Sequence, residues 1–133
     1  MQVAIRKSVL LLLLALVNSG AMAAWVRIGA SETDTLYVDP ATIRYGDNTA
    51  KIWALNDFTE TQRRDERGPF KSEKVEYEYD CKAQQARLLY FTSHAESMAG
   101  GDIVDFNVAP GEWMRIAPGS ELEALWEIAC WKA

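Results

Sequence analysis

The sequence predicts an α+β fold: an antiparallel sheet of about six strands with one C-terminal helix packed on it and tied to it by a disulfide. Three observations predict it. Lys74-Val75-Glu76-Tyr77-Glu78-Tyr79-Asp80-Cys81 puts Val75, Tyr77, Tyr79 and Cys81 on one parity and Glu76, Glu78 and Asp80 on the other. That period of two marks a strand with one buried and one wet face. Short apolar runs split by turn residues surround it. Finally, Ser120 opens a stretch in which Leu122, Leu125, Trp126, Ala129 and Cys130 share one helical face. Cys81 and Cys130 are the only two cysteines, and we read them as a bridge clamping helix to sheet.

The elements follow in order. Residues 25–30 and 35–38 read as two strands around the polar turn Ser31-Glu32-Thr33-Asp34. Asp39-Pro40 starts a turn or short helical turn through Arg44, because proline suits a first helical position. Tyr45-Gly46-Asp47-Asn48 is turn chemistry. Residues 49–58, centred on Ile52-Trp53-Ala54-Leu55, are apolar on both parities and predict a strand covered on both faces. Residues 62–69 hold Arg63, Arg64, Asp65, Glu66, Arg67 and Gly68-Pro69 and predict an exposed, mobile loop.

Residues 71–81 form the period-two strand. Lys82-Ala83-Gln84-Gln85 turns it into a partner at 86–93. A loop at 97–102 precedes a strand at 103–108, where Val104, Phe106 and Val108 share a parity. Residues 113–116 read as a last short strand. In the helix, Ser120 at the N-cap and Glu123 three residues on form a capping box. Glu121 and Glu123 also suit the positive end of the helix dipole.

Residues 1–23 read as a secretory signal peptide. Arg6 and Lys7 precede the apolar run 9–17, and Ala21-Met22-Ala23 supplies small residues for cleavage between Ala23 and Ala24. The run is far short of the roughly 20 residues that span a bilayer, so no integral membrane segment is expected in the mature chain. No cysteine stands near the cleavage site, so no lipid anchor is expected. Residues 24–133 make a single domain. The predicted destination is the periplasm, the medium or the cell surface, and the cysteine pair suits an oxidising compartment. In the chain-entropy picture a bridge over 49 positions contributes about 4 kcal/mol.

Losing Arg6 and Lys7 leaves 12 basic against 19 acidic residues, a net charge of −7. Such a domain is a poor partner for nucleic acid or anionic lipid, whose phosphates attract lysine and arginine.

The residues offer little chemistry. His94 is the only histidine; no nucleophile-elbow motif accompanies it, and a surface or loop position is its expected place. Glu76, Glu78 and Asp80 could offer oxygens to calcium, but alternate strand residues stand roughly 7 Å apart, and a solvated face is the better reading. Gly100-Gly101-Asp102 shares three residues with nucleotide-cyclase loops, without the acidic and aromatic residues that would follow. No catalytic residue, cofactor site or metal site is assigned. The five tryptophans, Trp25, Trp53, Trp113, Trp126 and Trp131, are expected mostly in the core, with Trp131 the one exposed. Arg63-Arg64 and Arg67, interrupted by Asp65-Glu66, read as a solvated loop rather than a contact for an acidic partner.

One order of motifs runs through nearly the whole mature chain: Trp25, Tyr37-Val38-Asp39-Pro40, Ile52-Trp53, Ser72-Glu73-Lys74, Tyr79-Asp80-Cys81, Trp113, and Pro118-Gly119-Ser120 to Cys130. It resembles the surface-adhesin protein E family of Gram-negative bacteria. The resemblance implies an antiparallel sheet with a disulfide-tied C-terminal helix. It also implies an adhesin that binds host matrix proteins and plasminogen. The adhesin that names the family is lipid-anchored, and here this chain departs from it. No short motif carries the binding activity, so no binding residue is carried over.

The resulting expectation is a non-enzymatic, exported binding domain acting through protein–protein contacts. The alternative is a periplasmic small-ligand or metal-binding protein using the aromatic surface or the Glu76/Glu78/Asp80 face. An open sheet has edges to cover, so a homodimer is compatible with the sequence, which does not decide the oligomeric state.

Overall fold

A computed structural model describes residues 24–108 and 110–131. The predicted signal peptide, residues 1–23, and the Ala23 side of its cleavage site lie outside them.

The strands are β1 (Val26–Ala30), β2 (Asp34–Val38), β3 (Arg44–Tyr45), β4 (Thr49–Arg63), β5 (Pro69–Asp80), β6 (Gln85–His94), β7 (Ile103–Asn107) and β8 (Met114–Arg115), followed by helix α1 (Glu121–Ala129). Every pair is antiparallel. They form one sheet in the order β1-β2-β4-β5-β6-β7, with β3 added beside β4 and β8 beside β6. The expected architecture is therefore the observed one: β8 lies within the short strand expected at 113–116, and β3 is the one strand the sequence reading did not include.

The β4–β5 hairpin is the spine. Its register runs unbroken from Thr49↔Asp80 to Asp57↔Ser72 and resumes at Gln62↔Phe70 after a bulge. The sequence predicts that β4 stops at Phe58; instead it continues to Arg63. Thr59 explains part of the extension, since its amide donates to Thr33 O at 2.8 Å and its hydroxyl to Glu32 O at 2.9 Å. The charged loop thereby shrinks to a turn over residues 64–68. Asp65 (φ 47°) and Gly68 (φ 94°) reverse the chain there in the left-handed region.

The core lies between this sheet and α1. Ala50, Ile52 and Ala54 of β4, Val75 and Tyr79 of β5, Val38 of β2 and Ala86 of β6 are buried together with Leu125 and Ala129 of α1. Four of these are alanines, so backbones approach closely. Burying a side chain such as Ile52 or Leu125 contributes about 2–3 kcal/mol. Leu55, of the other parity, is also fully buried, so β4 is covered on both faces, as its apolar run predicts. A bulge opposite Glu76/Tyr77 shifts the register of β6, pairing Leu88 with Tyr77 and Phe91 with Val75. Leu88 and Phe91, of opposite sequence parity, then both pack on the core.

The helix starts as its sequence predicts. Ser120 Oγ accepts from the Glu123 amide at 3.2 Å. The return bond differs, because Glu123 Oε1 accepts from the Gly119 amide rather than from Ser120. At the other end Cys130 caps the helix and is bonded to Cys81, with the Cα atoms 5.6 Å apart. The inferred clamp is present.

β7 forms within the strand expected at 103–108, and its apolar parity is not the buried one. Asp105 is buried, at 7% exposure, while Phe106 and Val108 are 61% and 63% exposed. Arg67 and Arg64 reach Asp105 at 2.7 and 3.8 Å, and this ion cluster turns the carboxylate inward.

Candidate functional site

The side chains singled out by sequence do not converge on one site. Cys81 and Cys130 form the bridge. Ala24 is an exposed residue ahead of β1.

His94 corrects the sequence reading. It is not on the surface or in a loop but at the end of β6, at 7% exposure. Its Nε2 lies 2.8 Å from Thr92 Oγ1, and its buried Nδ1 has no hydrogen-bond partner. Burial, and then the charge of Lys74, push its pKa below the ordinary value. The ring is thus enclosed in the sheet rather than presented to solvent.

The acidic face of β5 is less wet than its alternation predicts. Glu76, Glu78 and Asp80 are all half-buried. Glu78 Oε1 lies 2.6 Å from Arg87 Nη2 and 2.8 Å from its Nε. Asp80 Oδ1 accepts from the Ala83 amide at 2.9 Å, holding the β5–β6 turn. Glu76 pairs in register with Trp53 on one side and Tyr90 on the other. Two of the three carboxylates are thus already engaged. Among the described residues, no group of three or more His, Cys, Asp or Glu side chains is placed to hold a metal ion.

The tryptophans also correct the expectation. None of the five is in the fully buried core. Trp126 of α1 packs against the core as a partly buried residue, with its indole nitrogen buried. Trp53 packs edge-on against Tyr90, centroids 5.5 Å apart, with Lys74 Nζ 4.7 Å above its ring. Arg87 lies 4.5 Å over Trp113. Trp131 is 83% exposed, as its terminal position predicts.

The basic cluster is likewise more than a solvated loop. Arg64 bonds Glu73 at 3.0 Å and lies over the rings of Phe70 and Phe91, 4.8 and 5.5 Å from their centroids. Ser93 Oγ donates to the same Glu73 carboxylate at 2.9 Å. Arg67, aided by Arg64, holds the Asp105 carboxyl below the usual carboxylate range. This network ties the β4–β5 turn to β6 and β7.

Two surfaces stand out that the sequence did not mark. The first is the β7–β8 margin, where Ile103, Phe106, Val108, Trp113 and Met114 are exposed. β7 is also the terminal strand of the sheet. Edge position and apolar exposure together are the features of a surface that meets another chain. The only signal for it in the sequence is the shared apolar parity of Val104, Phe106 and Val108. The second is a groove of about 690 Å³ lined by Pro40, Ile43, Tyr45, Glu127, Ile128 and Trp131.

The profile of the surface-adhesin protein E family matches residues 25–131. No curated protein sequence matches the chain. Among solved structures, Haemophilus influenzae protein E in its selenomethionine form is similar with a TM-score of 0.62 at 12% identity, covering 84% of this chain and 89% of that one. A second crystal form of the same protein gives 0.61 at 12% identity, covering 83% and 89%. Protein E from non-typeable Haemophilus influenzae gives 0.58 at 11% identity, covering 83% and 77%. At such identities these structures speak for the fold alone. Family membership rests on the profile match, which spans both cysteines and every strand and helix described above: this chain belongs to the surface-adhesin protein E family.

Proposed function

We propose that the chain is an exported, non-catalytic binding domain of the adhesin type, acting through protein–protein contacts. The observation that carries this reading is the family match across residues 25–131. The β7–β8 margin supports it: an edge strand accepts a partner strand through main-chain hydrogen bonds, and flanking apolar side chains add contact area. A host matrix protein is the partner class the family implies, and a second copy of the chain is another occupant this edge accepts. The disulfide suits export to an oxidising compartment. Residues 1–23 act as the signal peptide, cut between Ala23 and Ala24, and the mature domain begins there.

Solid-phase binding of the purified mature domain to host matrix extract, beside a pull-down from the native envelope, tests the reading. Saturable capture of a protein supports it; no capture from either source contradicts it. Light scattering after size exclusion reports whether two copies associate.

A further inference from the structure

The groove between β3 and the C-terminal end of α1 has a composition of its own. Pro40, Ile43 and Ile128 make an apolar floor, Tyr45 and Trp131 add two aromatic rings, and Glu127 is the one ionisable acid on its lining. Tyr45 is 49% exposed and Trp131 far more, so both offer surface to a ligand. Among the described residues, the neighbouring cations of β3 and β4 are turned away. Arg44 and Lys51 are register partners on β3 and β4, and strand alternation sends both to the face opposite Tyr45 and its partner Ala50.

An aromatic pair beside one carboxylate on an apolar floor suits a cation with a hydrocarbon stem. The rings attract the charge through their electron-rich faces, the floor takes the methylenes, and the carboxylate neutralises the head. The chain makes the same kind of contact internally, at Lys74 over Trp53, Arg87 over Trp113 and Arg64 over Phe70. An excess of acidic over basic residues favours approach of a basic partner.

We propose that this groove docks a lysine or arginine side chain, flanked by apolar residues, from a segment of a partner protein. The proposal rests on the reading of the chain as a protein-binding domain and adds a contact that shares no residue with the β7–β8 margin.

The test is titration of the isotope-labelled protein with the peptides Ac-Leu-Lys-Leu-NH2, Ac-Leu-Gln-Leu-NH2 and Ac-Leu-Glu-Leu-NH2, followed by NMR. The Trp131 indole resonance is assigned with Trp131→Phe. The expected result is a saturable shift of the Trp131 indole and Ile128 methyl signals with the lysine peptide, absent with the glutamate peptide. Glu127→Gln should weaken it about threefold or more, the size of an exposed cation–π or ion-pair contribution. Both substitutions are at exposed positions, and unchanged signals from the Ile52 and Leu125 methyls confirm an intact fold. No shift, equal response to the glutamate peptide, or indifference to Glu127→Gln overturns the proposal. Matrix binding by the wild type without any peptide response overturns the groove alone. A peptide response without matrix binding supports the groove's chemistry and removes the adhesin reading.

Discussion

Tyr79 of β5 donates its hydroxyl to the main-chain carbonyl of Leu122 in α1 at 2.8 Å. Two residues further along the same strand, Cys81 is bonded to Cys130 beyond the helix's last turn. The helix is thus held near its start by a hydrogen bond and at its end by a covalent bond. Burial pushes the Tyr79 phenol well above its ordinary pKa, so the hydroxyl stays protonated and donates at every physiological pH.

Removing the bridge should therefore loosen α1 from its end. Cys81→Ala is expected to lower stability by about 2–4 kcal/mol. Chemical denaturation under oxidising conditions measures it, and hydrogen exchange should show the largest gain at amides of the last helical turn, including that of Cys130. An unchanged denaturation midpoint contradicts the clamp.

Tyr79→Phe isolates the hydrogen bond. It leaves the ring in place and the Leu122 carbonyl without this donor, and should cost about 1 kcal/mol. Tyr79→Ala removes the ring as well and should cost about 3–5 kcal/mol. Equal losses from the two would show that the ring does not fill the core.

The alanines beneath α1 predict intolerance of added volume. Ala50 and Ala54 are fully buried, and Ala54→Leu should destabilise by about 1–3 kcal/mol through overpacking. A thermal melt checks this; a gain in stability would mean the gap is wider than its residues indicate.

His94 makes stability depend on pH. Its folded-state pKa lies below the ordinary 6.5, chiefly through burial. The unfolded chain therefore takes up a proton before the folded one does. Its contribution is present above the ordinary pKa and is lost as pH falls through the folded value. The wild type should lose stability as pH falls below about 7, and His94→Gln should lose less over the same fall. Identical urea midpoints' pH dependence in both proteins would contradict the assignment.

The fold was largely legible in the residues because its signals are local. The alternation of Lys74 to Cys81 and the Ser120 cap each report on neighbours within a turn or a strand; the one long-range signal, the pair Cys81 and Cys130, allows a single pairing because the chain has only two cysteines. What was not legible depends on distant partners. Asp105 is turned inward by Arg67, 38 positions earlier, so apolar parity alone does not identify the buried face of β7. Leu88 and Phe91 share a face because of a bulge that no period marks. Composition suggested tryptophans in the core, but the fully buried positions at Ala50, Ala54, Ala86 and Ala129 are alanines, and Trp126 only packs against them. Asn56 donates to Asp34 at 2.7 Å and to Glu121 at 3.2 Å, joining β2, β4 and α1, and nothing in the spacing of those three residues announces it.

In the proposed function the domain binds a protein partner through the margin where Phe106 and Val108 are exposed. The most direct measurement compares saturable binding of the mature wild type and of Phe106→Asp to host matrix extract, with circular dichroism confirming that both are folded. The account predicts saturable binding by the wild type and a loss of about tenfold or more in the variant, the size of a hot-spot effect. No binding by the wild type, or equal binding by a folded Phe106→Asp protein, would contradict it.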